Sequence, residues 1–149
     1  MDTKRNIEYR ELTTAELRSD PEKKMLSGLA VPYNHETVIG GLFREIMRPG
    51  TFKRAIDGGQ DVVAWYQHGK GSPIPLGRTT ATPPTLRLNE TPEGVGFEID
   101  TPDTQSANEL HAAIARGDIR GVSIAFDVPE PAGEAWNFEE TRSGKLPLR

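Results

Sequence analysis

Residues 110–126, LHAAIARGDIRGVSIAF, hold the two patterns from which the fold is predicted. The first is the end of an amphipathic helix over residues 101–116, in which apolar side chains recur at helical spacing. Asp103 or Thr104 is placed to cap this helix, and Gly117 is placed to end it. A short turn then leads from the helix into a strand.

The second pattern is an alternation in which Val122, Ile124 and Phe126 share one face of a strand, while Ser123 and Ala125 share the other. The small alanine leaves room for a substrate beside the serine hydroxyl. Most serines are exposed without any chemical role, so this strand taken alone indicates no function. The rest of the chain decides whether Ser123 is a candidate nucleophile.

The composition limits both the fold and the partners. A chain of 149 residues is the size of one domain, and its 15 glycines and 12 prolines favour short elements over a bundle of long helices. The absence of cysteine excludes disulfides, thiolate metal sites and a cysteine nucleophile. A net charge of −4 without a basic block argues against nucleic acid as a partner, and no apolar run has the roughly 20 residues of a membrane span. We therefore expect a soluble intracellular protein with a single domain over residues 1–149.

Short alternating or β-branched runs predict about seven strands. These runs lie at residues 7–12, 26–33, 61–68, 86–88, 95–99, 122–127 and 134–141. A minor helix is predicted at residues 51–56, and Thr13 with Glu16 has the spacing of a helix capping box. Residues 1–25 are highly charged and are expected to form a flexible N-terminal segment. Together the elements predict an α+β fold, mainly an antiparallel barrel or sandwich with a few attached helices.

A serine nucleophile needs a general base, and histidine is the usual one because it is mostly neutral at pH 7. His68 ends the predicted strand at residues 61–68, beside a glycine-rich turn, and is the best partner for Ser123. His111 lies in the main helix beside its apolar stripe, where a structural role is favoured, and His35 lies in a polar loop. A metal site built from the three histidines is an open alternative, although no H-x-x-x-H or H-x-H pair supports it.

The letters GVSIA at residues 121–125 resemble the G-x-S-x-G nucleophile elbow. That elbow requires a sharp turn from a strand into a helix, whereas here the strand pattern runs through the serine. An α/β-hydrolase fold is therefore disfavoured. The chain also lacks the glycine patterns of phosphate and dinucleotide sites.

Four blocks of sequence within residues 26–127 carry a resemblance to a known family. The blocks are LSGLAVPYN, FREIMRPGTF, VVAWYQHGK with PLGRT, and LHAAIARGDIRGVSIAF. In this order and spacing the chain resembles the prohead maturation proteases of tailed bacteriophages, which are similar in fold to the herpesvirus assemblins. The resemblance implies an assemblin-like closed β-barrel of about seven strands ringed by helices.

The function that the resemblance implies is a serine endopeptidase of phage head maturation. Its expected substrates are the capsid scaffold segment, extensions of the major capsid protein and the protease itself. It is expected to act inside the assembling prohead in the host cytoplasm, without a cofactor or a metal. A homo-oligomer is compatible with this picture.

The resemblance also assigns the two residues of the expected catalytic pair. The histidine of the family falls on His68, here preceded by Gln67 where asparagine is common. The serine of the family falls on Ser123, with Ala125 where glycine is frequent. The resemblance thus implies His68 as general base and Ser123 as nucleophile.

The third member of the triad stays open. Assemblins place a second histidine after the serine, whereas the phage branch is expected to use an acidic residue in a later strand, which we expect to lie beyond Arg149. The chain is accordingly expected to be truncated at its C-terminal end. The acidic residues that follow Ser123 receive no role: Asp127, Glu130, Glu134, Glu139 and Glu140.

Two further residues match blocks of the family. Arg78 of PLGRT is a candidate donor to the oxyanion, with an ion-paired or solvent-facing arginine as the favoured alternative. Glu45 of FREIM is expected to pair with a neighbouring arginine. The alternatives to an active protease are a non-catalytic barrel associated with capsid or scaffold, an inactive truncated protease, and a metal-dependent hydrolase.

Overall fold

A computed structural model describes residues 7–12, 16–66, 74–129 and 133–149. In chain order the elements are β1 (Ile7–Leu12), β2 (Glu16–Asp20), β3 (Met25–Pro32), β4 (Glu36–Ile39), β5 (Phe43–Ile46), α1 (Lys53–Asp57), β6 (Val63–Tyr66), β7 (Ile74–Arg78), β8 (Leu86–Thr91), β9 (Gly94–Asp100), α2 (Gln105–Arg116), β10 (Val122–Asp127) and a 3₁₀ helix (Glu139–Ser143). Strands β1 and β2 lie within the N-terminal segment, residues 1–25, that was expected to be flexible.

The described strands form one larger sheet and three pairs. The larger sheet has the order β2-β3-β9-β8, and the pairs are β1-β10, β4-β5 and β6-β7. Each of these strand pairings is antiparallel, so the predicted α+β class with mainly antiparallel strands is confirmed. No barrel closes among the described strands, and the closed assemblin-like barrel stays a prediction.

The core lies between the four-stranded sheet and α2. Strand β9 shows why, because the buried Val95, Phe97 and Ile99 alternate with residues that are partly or fully exposed, as a half-buried strand requires. Leu110 and Ile114 of α2 complete the cluster from the helix side. The remaining buried members are Leu26, Ala30, Val31, Tyr33, Met47, Leu76 and Leu86.

The predicted main helix is confirmed as α2. Thr104 is its N-cap, and the threonine side chain accepts a hydrogen bond from the backbone N–H of Ala107 at 3.2 Å. Gly117 ends the helix with φ of 80°, a left-handed conformation that glycine adopts without strain. Within the described ranges, no helix is both long and apolar enough to cross a bilayer.

Two local predictions are wrong. The spacing of Thr13 and Glu16 predicts a helix start, but Glu16 begins β2 because the segment pairs along β3, and this tertiary pairing outweighs a local capping pattern. Residues 134–141 were predicted as a strand, whereas the segment contains one isolated bridge at Asn137 and then turns into the 3₁₀ helix. The predicted strand at 61–68 is present as β6, and its last two residues lie outside the described residues.

A buried polar cluster of His111, Ser19 and Thr101 joins α2 to β2 and to the end of β9. The hydroxyl of Thr101 donates to the carbonyl oxygen of Lys24 at 2.8 Å, so the threonine oxygen is left to accept from Nε2–H of His111, also at 2.8 Å. Nδ1 of His111 then accepts from the hydroxyl of Ser19 at 2.6 Å. His111 is 2% exposed and has the structural place that its position beside the apolar stripe predicts.

We expect this cluster to make stability fall in acid. Burial lowers the pKa of His111 from its ordinary value, and the charge of Asp20 offsets part of that shift. The unfolded chain binds the proton more readily, so this contribution to the free energy of unfolding is present above about pH 6.5 and is lost as pH falls through the lowered pKa. His111→Gln should lack that part of the acid-dependent loss, measured by urea denaturation at about pH 7.5 and about pH 5.

The control for this experiment is His35→Gln, because His35 is exposed in the turn before β4 and takes part in no buried cluster of the described residues. This variant should follow the wild-type dependence on pH. An equal acid-dependent loss in His111→Gln and in the wild type would contradict the assignment.

Candidate active site around Ser123

Strand β10 presents Ser123 on the side of the sheet that faces away from the core. Val122, Ile124 and Phe126 pack against the core, Ser123 is partly buried, and Ala125 is exposed. The two faces predicted for this strand are thus confirmed. A hydroxyl on a strand whose other face is packed is held by the fold while staying within reach of solvent.

The neighbour of β10 is β1, and its register decides which side chains surround the serine. Glu11 lies directly opposite Ser123, and Tyr9 lies opposite Ala125. The polarity of β1 is inverted relative to an ordinary half-buried strand. Tyr9 is 60% exposed, whereas Arg10 is 7% exposed and points toward the core side. The buried charge of Arg10 therefore requires partners of opposite charge in the protein interior.

Those partners form an ionic cluster in which Arg10 and Glu45 are buried, Glu8 and Arg149 are partly buried, and Glu134 lies at the surface. Arg10 binds both carboxylate oxygens of Glu45, through Nε at 2.6 Å and through Nη2 at 2.9 Å, and it also pairs with Glu8. Arg149 reaches Glu45 at 3.1 Å, Glu8 at 2.9 Å and Glu134 at 3.2 Å. Two arginines thus share the buried carboxylate of Glu45, and each of them also pairs with Glu8.

The cluster also shifts the protonation of its members and touches β10. The hydrogen bonds that Arg10 donates to Glu45 raise the pKa of Arg10. Burial raises the pKa of Glu8, but hydrogen bonds from Arg149 and Arg10 outweigh burial and hold that pKa below its ordinary value. The guanidinium of Arg10 also lies 5.2 Å from the centre of the Phe126 ring. The cluster therefore supports the strand that carries the serine.

The segment that supplies Arg149 is itself paired with β5. Leu148 forms a parallel bridge to Arg44, and the backbone N–H of Arg149 donates to the carbonyl oxygen of Arg44 at 2.8 Å. The backbone N–H of Ile46 donates in turn to the carbonyl oxygen of Arg149 at 2.9 Å. These bonds hold Arg149 alongside β5, on the same side of that strand as the side chain of Glu45. Glu45 was expected to pair with a neighbouring arginine; pairing is confirmed, but its partners come from distant parts of the chain.

The predicted base, His68, lies outside the described residues. Strand β6 ends at Tyr66, and the description resumes at Ile74, the start of β7. The pairing of His68 with Ser123 therefore stays a prediction. Of the other histidines, His111 belongs to the buried polar cluster and His35 is exposed.

Arg78, the candidate oxyanion donor, is engaged in an ion pair. Its Nε donates to Asp61 at 2.7 Å, and Nη2 binds the second oxygen of the same carboxylate. The hydrogen bonds from Arg78 and then Thr80 lower the pKa of Asp61 to about 2. This is the ion-paired alternative that the sequence favoured.

Some of the carboxylates that follow Ser123 also have partners. Glu134 pairs with Arg149, and Glu140 pairs with Arg44 and Lys145. Asp127 is exposed at the end of β10, and Glu130 lies outside the described residues. None of the pairs links a carboxylate to a histidine, so we assign no triad acid from them.

The described residues contain no group of three or more His, Asp or Glu side chains placed to hold one metal ion. Two surface grooves lie beside the C-terminal segment; they are lined by Glu36, Arg44, Trp136, Asn137, Phe138, Glu139, Glu140, Thr141, Arg142, Lys145 and Leu148. These residues do not belong to β1 or β10, and ion pairs of Glu140 cross the first groove. Neither groove is therefore assigned to the reaction.

Arg10 and Glu11 are the residues near the serine that sequence patterns do not single out. A charged residue within a polar run gives no indication of burial. The alternation in residues 7–12 indicates a strand. No local sequence pattern indicates that this strand pairs with β10, because the two strands lie near opposite ends of the chain. Only the register reveals that Glu11 faces Ser123.

We expect Glu45→Gln to lower the free energy of unfolding by about 3 kcal/mol, because it removes the buried carboxylate that Arg10 shares with the partly buried Arg149. Urea denaturation near neutral pH measures this change. Glu98→Gln is the matched control, since Glu98 pairs with Arg87 at the surface of the larger sheet. The control should cost less than about 1 kcal/mol. Equal losses in the two variants would contradict the importance given to the cluster.

Comparison with known protein families identifies the family of this chain. A family model described as caudovirus prohead serine protease matches residues 10–148, nearly the whole chain. No curated protein and no solved structure matches the chain. The family match covers β10 with Ser123 and most of the elements that hold it. The chain therefore belongs to the caudovirus prohead serine proteases, hydrolases that act in the maturation of phage heads.

Proposed function

We propose that this prohead protease is an endopeptidase with Ser123 as its nucleophile and His68 as its general base. The proposed substrates are the capsid scaffold segment, extensions of the major capsid protein and the chain itself. The proposed place of action is the interior of the assembling prohead in the host cytoplasm. We further propose that the strand pairs and the larger sheet belong to a closed assemblin-like barrel.

The observation that carries the proposal is the position of Ser123. The resemblance of the sequence blocks aligns Ser123 with the serine of the family's motif, and the family model covers this residue. Ser123 also lies on a strand whose opposite face packs against the core. A nucleophile gains from such support, because a fixed hydroxyl meets the scissile carbonyl without further ordering. The exposed alanine beside it leaves space for a peptide to approach.

The chemistry follows the general serine-protease sequence. His68 takes the proton from the hydroxyl of Ser123 as the oxygen attacks the scissile carbonyl. Collapse of the tetrahedral intermediate releases the amine, which receives the proton from His68, and leaves an acyl-enzyme on Ser123. Water then attacks the ester with His68 again accepting a proton, and the serine is regenerated.

Ser123→Ala should abolish cleavage of the scaffold segment, with turnover reduced by about 10⁴-fold or more because no nucleophile replaces the hydroxyl. The measurement is the rate of scaffold cleavage followed by mass spectrometry. Ser27→Ala is the matched control, since Ser27 is also a partly buried serine on a strand, in β3. Cleavage by Ser123→Ala at the wild-type rate would contradict the assignment of Ser123 as the nucleophile.

Covalent labelling separates the protease from a non-catalytic barrel. A serine-reactive phosphonate should modify Ser123 of the protease, whereas a binding module should react there no faster than at its other serines. His68→Ala should slow the labelling, because the phosphonate reports on activation of the hydroxyl by its base. Activity that is lost to chelators would instead favour the metal-dependent alternative.

Arg78 and Asp61 provide a test of the oxyanion role. Because the guanidinium of Arg78 is bound to Asp61, we expect Arg78→Ala and Asp61→Ala to change turnover equally and slightly. Loss of a true oxyanion donor costs about 10²- to 10³-fold in kcat. A loss of that size in Arg78→Ala alone would show that Arg78 contacts the oxyanion.

A further inference from the structure

The side of the β1-β10 pair that carries the nucleophile is called the serine face. It is formed by Ile7, Tyr9, Glu11, Ser123, Ala125 and Asp127. Opposite residues of an antiparallel pair project to the same side, so the register alone places these six side chains together. Ser123 is partly buried and the other five are exposed.

Glu11 is the charged residue nearest to the nucleophile on this face. It stands directly opposite Ser123, and the Cβ atoms of such pairs are about 5 Å apart. Among the residues that the structure describes, no cation or hydrogen-bond donor pairs with its carboxylate. The charge is therefore available to a substrate.

A substrate side chain next to the scissile bond must come within reach of Glu11. When a peptide carbonyl is attacked by Ser123, the flanking side chains lie within a few ångströms of the hydroxyl. A carboxylate at that distance attracts a cationic side chain and repels an anionic one, more strongly once the bound peptide excludes water. Specificity then comes from both attraction and repulsion.

The serine face also carries apolar side chains away from Ser123, which suits a peptide laid across it. Tyr9 is 60% exposed and Ile7 is 53% exposed, with the small Ala125 opposite Tyr9. Apolar side chains that face solvent beside a nucleophile are typical of a binding surface. Asp127, at the far end from Ser123, adds a second negative charge, and no lysine or arginine is among the six.

We propose that Glu11 is a specificity-determining residue, which selects peptides with lysine or arginine next to the scissile bond and rejects those with glutamate or aspartate there. The inference rests on the proposed role of Ser123 as nucleophile. It does not depend on the position of His68 or on the identity of the triad acid.

If Glu11 instead oriented the catalytic histidine, its removal would have a different effect on the kinetics. The acid of a serine-protease triad binds the histidine on the side away from the serine, whereas Glu11 lies beside the serine on the adjacent strand. Removing an orienting acid slows every substrate alike. Removing a specificity determinant changes the ratio between substrates of different charge.

The test uses peptides that span a mapped scaffold cleavage site and that carry Lys, Gln or Glu at each residue flanking the scissile bond in turn. The wild type should favour the Lys peptide over the Glu peptide by at least about fivefold in kcat/KM at one of the two positions. This preference should shrink as ionic strength rises. Glu11→Gln should remove most of it, and Glu11→Lys should reverse it. Asp127→Lys is the control on the same face, about 13 Å along the strand from Ser123, and should change the ratio less.

A binding experiment gives the same test without any chemistry. In the Ser123→Ala background, the Lys peptide should bind more tightly than the Glu peptide, and adding Glu11→Lys should reverse the order. An unchanged ratio in Glu11→Lys would overturn the proposal, as would an equal loss of kcat on all three peptides in Glu11→Gln. If Ser123→Ala alone still cleaves at the wild-type rate, the proposed nucleophile fails instead, so the two failures are distinguishable.

Discussion

The pairing of buried Arg10 and Glu45 with the partly buried Arg149 is the constraint on which the arrangement around the serine depends. These residues come from β1, from β5 and from the segment paired with β5, and each brings a charge out of water. A buried charge is tolerated only with a close partner of opposite sign, so the three segments must dock together or not at all. Such a cluster adds little net stability over an apolar one, but it makes wrong dockings costly. We infer that its main contribution is to select one arrangement of the strands.

That selection reaches the serine through the register of β1. Side chains alternate along a strand, so turning Arg10 inward turns Tyr9 and Glu11 outward. A slip of one residue would expose Arg10, bury Tyr9 and remove Glu11 from its place beside Ser123. The inward arginine and the outward glutamate are thus two results of one register. The ionic cluster on one side of the sheet determines which side chains meet a substrate on the other.

A second polar cluster fixes the helix that precedes β10. His111 of α2 is bound on one ring nitrogen by Ser19 and on the other by Thr101, so the helix is tied to the larger sheet by hydrogen bonds as well as by apolar packing. The helix ends at Gly117 and the chain enters β10 a few residues later. Both polar clusters therefore act on β10, one through the helix that precedes it and one through the strand paired with it. Hydrogen bonds and ion pairs depend on the orientation of their partners. They therefore restrict the position of β10 more than apolar contacts would.

Local patterns in the sequence determined several elements and the best candidate nucleophile. The cap at Thr104, the stop at Gly117 and the alternation about Ser123 predicted α2 and β10, since helix ends and strand faces depend on neighbouring residues. The family blocks added His68 as the expected base. The partner of β1, the burial of Arg10 and the position of Glu11 were decided only in the tertiary structure. They depend on contacts between residues far apart in the chain, and a polar residue within a charged run has no local feature that distinguishes a buried partner from a solvated one.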